Sequence, residues 1–587
     1  MGSRSRSCCP RTDLAKSADW AADYPGFDIR VTGPVFGGLT LSQAAKDDVV
    51  TLVPIAFVVA IAILAFFLRS PRAVLACTAV VGLGTVATFG IAGWMGIELT
   101  AGTAISPLAV MVLTSASCVH IVLAWTRALE TGTAQEATAQ ALSLNLAPVT
   151  VATVTTSVGF LGLNFADSPP LRDMGRVVSL GLLFAMGLVF VLLPFALRRS
   201  GLAHARRRLP LSREGMERFA RWVWRTQMLW LVLFPAGLAV SAFGIHRIGF
   251  DDNLLRYFSD HYEFRRDTDA IQDRLAGMDS LQFSFTAPEG ATVFDPDFLR
   301  DIDRFAAWLE TQEVVVSTLA ITDIVKRMNR SMSGDDPEAF RVADTPEANA
   351  QLMMFYELSL PEGLDLNTQI DVDRTRTRVV AFLRAGHSDD IRDLALAAEA
   401  WMADNTPETV ATAGGYSVAF SRITERNNRQ MLLGLVLVLA LVSLILMATM
   451  RNFRFGLISL VPNLVPAILA FGFWGVTFRD VNLGSTVVTT MTFGIVVDDS
   501  VHFLMHYLRR RREGLAPQAA LERTFASVGA AILITSIALI AGFAIMATSG
   551  FTINQHMGAL TAIVIVFALL ADLLLLPSVI RLFERKS

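Results

Sequence analysis

Eleven long apolar runs constrain this chain more than any other feature. A helix needs about 20 mostly apolar residues to cross a bilayer. Runs of that kind stand at roughly 49–68, 73–95, 103–125, 143–165, 174–198, 228–249, 431–450, 454–477, 484–508, 526–549 and 555–582. In hydrocarbon, backbone N–H and C=O groups must be satisfied within the segment, so each run is expected to be a helix. The expected fold class is a polytopic α-helical membrane protein. Composition supports this: 18% of residues are charged, against about 25% in soluble domains.

The net charge of -3 gives no reason to expect a nucleic-acid partner. The four cysteines show no metal-ligand or disulfide-framework spacing. The sequence carries no P-loop, dinucleotide fingerprint or zinc spacing. No cofactor, no metal and no enzymatic activity are therefore expected. The basic N-terminus, MGSRSRSCCPRTDLAKS, is not followed by the apolar core of a signal peptide.

Between the sixth and seventh runs lies a polar stretch, about 250–430. There "DSLQFSFTAP" and "TRTRVVAFLRAG" read as strands. "DPDFLRDIDRFAAWLETQ" and "DDIRDLALAAEAWMADN" read as helices. Strands separated by single helices predict βαβ units in a small α/β domain. Sidedness follows from Lys and Arg in short loops. Arg69 and Arg72, the stretch from Arg198, Arg451 to Arg454, the run from Arg509 and the C-terminal RLFERKS share one side if the spans alternate. That side is expected to be cytoplasmic, with the polar domain outside. Trp94 and Trp474 read as interface anchors.

The chain repeats itself. "CVHIVLAWTRALETG" from Cys118 resembles "SVHFLMHYLRRRREG" from Ser500, 382 residues on, and "FFLRSPR" from Phe66 aligns with "ATMRNFR" from Ala448. Gly159, Met174 and Pro194 match Gly542, Met557 and Pro577 at an offset of 383. The expected organisation is therefore an external tail at 1–48, a first five-helix bundle at 49–198, a basic cytoplasmic loop at 199–227, a single span at 228–249, an external domain at 250–430 and a second bundle at 431–587. "IRVTGPVFGGLTLSQAAKDD" resembles "VATAGGYSVAFSRITERNN", which ends the external domain. The tail thus reads as the remnant of a first external domain, and the chain reads as beginning inside its first repeat.

One stretch breaks the apolar rule. "GIVVDDSVHF", Gly494 to Phe503, puts Asp498 and Asp499 inside the ninth run, where a carboxylate costs about 3 kcal/mol on insertion scales. Residues four apart on a helix lie about 40° apart around its axis, so Gly494, Asp498 and His502 can face one partner. The glycine permits a neighbouring helix to approach closely. Burial and a like charge both favour a neutral carboxylic acid, and histidine exchanges its proton near neutral pH. Asp498, Asp499 and His502 are accordingly the candidate proton relay, with His120 and Asp572 as auxiliary candidates and Gly494 as the packing residue. The competing reading is structural, with the two acids bonded to hydroxyls such as those of Thr114, Ser115 or Ser117. In the first repeat the matching positions are Val112, Ala116, Ser117 and His120. His506 is expected near the cytoplasmic edge.

Two repeated bundles, the Gly494-x-x-x-Asp498 motif with His502, and "ADLLLLPSVI" from Ala571 resemble the resistance-nodulation-division superfamily. The similarity is to its MMPL-type and predicted-exporter branch, whose five-helix unit resembles the sterol-sensing domain of Patched and Dispatched. The resemblance implies proton-motive-force-driven export of a lipid or other hydrophobic molecule from a cell inner (plasma) membrane, with membrane lipids, protons and possible further copies of the chain as partners. It departs from the family pattern in the first bundle, which lacks the acids. That departure keeps open a sterol- or lipid-sensing protein without pumping. An intramembrane aspartyl protease needs a GxGD motif and a second acid on another helix, and GIVVDD supplies neither.

Overall fold

The computed structural model describes residues 23–98, 100–199, 212–250, 254–274, 279–361, 365–384, 388–406 and 410–584. The chain forms two compact units, one of Met1–Leu39 with Phe250–Glu425 and one of Thr40–Gly249 with Arg426–Ser587.

The first unit is built on a four-stranded sheet of β1 (Asp279–Thr286), β2 (Val315–Leu319), β3 (Arg376–Leu383) and β4 (Val410–Gly414). Its helices are α8 (Glu263–Arg274), α9 (Pro296–Glu310), α10 (Ile321–Met332), α11 (Pro346–Ser359) and α12 (Ser388–Asn405). The strand order is β2-β3-β1-β4, and every neighbouring pair is antiparallel. The expected β1-α9-β2 and β3-α12-β4 units are present, but each skips a strand and the other unit fills the gap. This is the split βαβ arrangement of ferredoxin-like sheets. Leu281, Phe283 and Phe285 alternate along β1 and point into the core. The Phe283 and Phe305 rings meet edge-on at 4.9 Å. The N-terminal stretch docks on this unit: the Val31 amide donates to Asp267 (3.2 Å), and the Thr32 and Thr268 hydroxyls lie 2.6 Å apart.

Among the described residues, eleven helices are long and apolar enough to cross a membrane, and they build the second unit. The first bundle contains α1 (Val35–Leu68), α2 (Pro71–Trp94), α3 (Ser106–Ala128), α4 (Ala134–Phe165) and α5 (Pro169–Arg198). Next come α6 (Arg213–Arg225) and the single span α7 (Gln227–His246). The second bundle is α13 (Tyr416–Met450), α14 (Phe453–Thr477), α15 (Leu483–Arg512), α16 (Pro517–Met546) and α17 (Thr552–Glu584). α13 begins in the first unit and continues into this one.

The repeat extends to backbone detail. Gly33 and Gly415, 382 apart, take φ of 120° and 110° just before the long helices that open each bundle. Arg69 and Arg451, again 382 apart, both sit at φ 49° in the next turn.

Three expectations are revised. The tail expected up to residue 48 is helical from Pro34 and runs through a π-turn at Asp48–Leu52 into the first span. Of the basic loop expected at 199–227, residues 200–211 lie outside the described residues, while 213–225 form the amphipathic helix α6. Its Ala220 and Val223 are buried in one cluster with Leu521 and Phe525, and Arg221 pairs with Glu522 at 3.2 Å. Trp474 is no interface anchor: its ring is 1% exposed and its indole N–H donates to the Asp480 carbonyl at 2.9 Å. Trp94, 90% exposed, fits the anchor role.

Candidate functional site

The third helices of the two repeats, α3 and α15, are almost wholly buried, and the repeats pack chiefly through α15 on α4 and α3 on α16. The His120 and His502 rings, equivalent residues of the two repeats, stack with centroids 3.8 Å apart and planes 14° from parallel. This contact joins the two candidate histidines on a seam between the bundles.

Gly494 lies against α4. A β-carbon there would come within 2.8 Å of the Thr156 Cα, and one on Gly159 would come within 2.9 Å of the Gly494 Cα. The helices therefore cross backbone to backbone, as small residues allow in a membrane. The Thr156 hydroxyl donates to the Gly494 carbonyl at 2.8 Å. The related crossing, Val112 of α3 on Gly542 of α16, has only one glycine, and the Val112 methyls occupy the space.

The adjacent aspartates face different surroundings, as the roughly 100° step of a helix requires. Asp499 faces α16 in its own bundle, where Thr535 (3.2 Å) and Ser536 (2.8 Å) donate hydroxyls to its two oxygens. The structural reading thus applies to Asp499, but with partners from its own repeat. Asp498 faces the first bundle. It lines a cavity of about 20 Å³ together with Leu113, Thr114, Ser117, Thr153, Thr156 and Met186. That is room for one water-sized group. Its Oδ1 lies 3.6 Å from His502 Nε2, and neither ring nitrogen of His502 has a hydrogen-bond partner among the described residues. Ser115, offered by sequence as a partner, instead donates to the Met111 carbonyl.

Asp572 is fully buried, in a π-turn at Ala571–Leu575 that packs on α15. Neither of its carboxyl oxygens has a hydrogen-bond partner among the described residues. It does not share the Asp498 cavity. His506 is buried at 8% exposure, and its Nε2 has no hydrogen-bond partner among the described residues. Sequence reasoning missed Thr156, Thr535 and Ser536. The signal was present as hydroxyls inside apolar runs, and for Thr156 and Thr535 at positions where the other repeat has the apolar Leu539 and Ala152. Among the described residues no cluster of His, Cys, Asp or Glu could hold a metal ion.

Asp498 thus stands at the seam, where the two bundles touch through glycine, threonine and histidine.

Fold and site together define a multi-pass membrane protein of two repeated five-helix bundles, with Asp498 at the seam. The MMPL family model matches residues 10–230 and 330–587. The chain belongs to the MMPL family, within the resistance-nodulation-division type of membrane proteins. It is also similar to the protein named "Putative membrane protein MJ1562" of Methanocaldococcus jannaschii, 24% identical over 142 residues, which are 24% of this chain and 37% of that protein.

Proposed function

We propose that this chain is a proton-driven transporter that exports a lipid or other hydrophobic molecule. The observation that carries the reading is the placement of Asp498, a carboxyl at the seam of two repeated bundles, facing a polar water-sized cavity beside a stacked histidine pair. Membership of the MMPL family supports transport as the class of activity. In this reading Asp498 is the exchanging acid. His502 and His120 pass the proton along the seam, Asp499 is held by Thr535 and Ser536, and Asp572 is an auxiliary acid. The arginine-rich helix ends lie in the cytoplasm by the charge rule. The chain then sits in the inner (plasma) membrane of a cell with its α/β domain outside, where that domain receives the substrate.

The test uses the full chain in proteoliposomes with an imposed pH gradient and a fluorescent phospholipid as probe. The native protein moves the probe only when the gradient is present. Asp498→Asn folds, retains its thermal unfolding midpoint and does not move it. Native transport by Asp498→Asn sinks the assignment of Asp498. Phospholipid binding that ignores the gradient in the native protein favours the second reading, a lipid sensor that does not pump. The third helix of the first bundle, with Ala116 and Ser117 in place of the aspartates, is what supports that alternative.

A further inference from the structure

The turn between the first two helices carries the same pair of arginines in both bundles. Arg69 and Arg72 follow α1, and Arg451 and Arg454, each 382 positions on, follow α13. All four are exposed. Arginine at such a turn is accounted for by membrane orientation alone. The apolar residues beside the arginines, however, differ between the bundles.

In the second bundle Met447 of α13 lies on Gly456 of α14, and a β-carbon on Gly456 would collide with the Met447 side chain. The methionine is long enough to cross the gap between the two helices, and the glycine makes room for it. At the matching positions the first bundle has Ala65 and Val74. An alanine methyl does not reach across such a gap, and the branched, stiff valine occupies the place that the glycine leaves open. There α1 and α2 border a groove of about 790 Å³, lined by Ile61, Ala65, Val74 and Leu75, with Arg69 and Ser70 at its loop end. That volume falls in the range of about 300–1,000 Å³ usual for small-molecule sites. Leu75 is 71% exposed. Its counterpart Leu457 is 54% exposed even though α7 lies on α14, so this face of the second helix is not the one that a neighbouring span covers.

An aliphatic floor with guanidinium groups at one end matches an amphiphile with an acyl chain and an anionic head. Arginine forks pair with phosphate through two parallel hydrogen bonds. Basic pockets between membrane helices take anionic head groups. Charge selects such a head over a neutral sterol, and over a zwitterionic lipid whose ammonium would meet the same arginines.

We propose that the groove between α1 and α2 is a binding site for one anionic phospholipid. Its acyl chain runs along Ile61, Ala65, Val74 and Leu75, and its phosphate sits at Arg69 and Arg72. In the second bundle the arginines are present, but Met447 on Gly456 takes the place of the chain. The site shares no residue with the Asp498 cavity and does not depend on proton coupling.

The probe is phosphatidylglycerol with a photoreactive diazirine on one acyl chain, added to the full chain in maltoside micelles. After illumination, mass spectrometry should place saturable cross-links on residues 61–78. Unlabelled phosphatidylglycerol should compete roughly tenfold or more better than phosphatidylcholine, the effect of two arginines beside an anionic head. Glycerol phosphate, which has the head without the chains, should not compete. Arg72→Gln should bring phosphatidylglycerol down to the level of phosphatidylcholine, and Ala65→Trp, which fills the groove, should remove the cross-links. Both positions are exposed, so both variants should keep the native unfolding midpoint. Arg454→Gln should leave the labelling unchanged. Equal competition by the two lipids would show a general lipid coat only. That result, cross-links indifferent to Arg72→Gln or to Ala65→Trp, or equal labelling around Met447 would each overturn the proposal.

Discussion

Along the seam, α15 presents Gly494, Asp498 and His502 where α3 presents Val112, Ala116 and His120. The histidines are shared and stack face to face. The acids are not shared, and neither is the glycine. The second bundle keeps a backbone-to-backbone crossing with Thr156 bonded to the Gly494 carbonyl, while the first fills the related crossing with a valine. A repeated scaffold can therefore retain its shape while its chemistry gathers on one side. Shape depends on apolar volume, which many residues supply. The proposed relay rests on one carboxyl with a polar cavity before it.

That contrast can be tested at individual positions. The largest effect is expected from Gly494→Leu, which drives a side chain into the α4 backbone. Overpacking of a formed core costs about 1–3 kcal/mol, and here backbone rather than a side chain must move, so loss of the folded population in detergent is expected. Ala116→Asp, which would make the first bundle resemble the second, buries a carboxylate in an apolar row. It should cost about 3 kcal/mol, read as a lowered midpoint by differential scanning fluorimetry. A midpoint equal to native would show that the first bundle already offers a polar site. Ser536→Ala removes one of the two hydroxyls on Asp499 and should cost about 1–3 kcal/mol, the range for a buried group losing a partner. Val112→Gly gives the second crossing its glycine at about 1 kcal/mol of helix propensity. It should leave transport unchanged, and a gain in coupling would show that valine limits the motion.

Much of this architecture was legible in the sequence. Apolar runs of membrane length can only be helices, so the eleven spans and their pairing into repeats followed from length and offset. The ends did not, because α1 and α15 extend beyond their apolar cores as helices whose polar residues find protein partners. The Asp48 carboxylate, for instance, accepts from Ser549 (2.8 Å) and Asn554 (2.7 Å). The antiparallel sheet was also hidden, since element order is the same for split and unsplit βαβ units and only pairing separates them. At the site, the motif gave Asp498 and the glycine. Spacing alone did not show that Asp499 turns inward to Thr535 and Ser536, because those partners come from another helix of the same repeat. The His120–His502 stack needed the seam itself, which no single helix encodes.

The central claim is that Asp498, and not its neighbour, is the acid that exchanges protons at the seam. The most direct test is infrared difference spectroscopy of the reconstituted chain on a pH jump, following the carboxylic-acid carbonyl band. The band should be present in the native protein, absent in Asp498→Asn and retained in Asp499→Asn. A band that persists in Asp498→Asn and disappears in Asp499→Asn would contradict it.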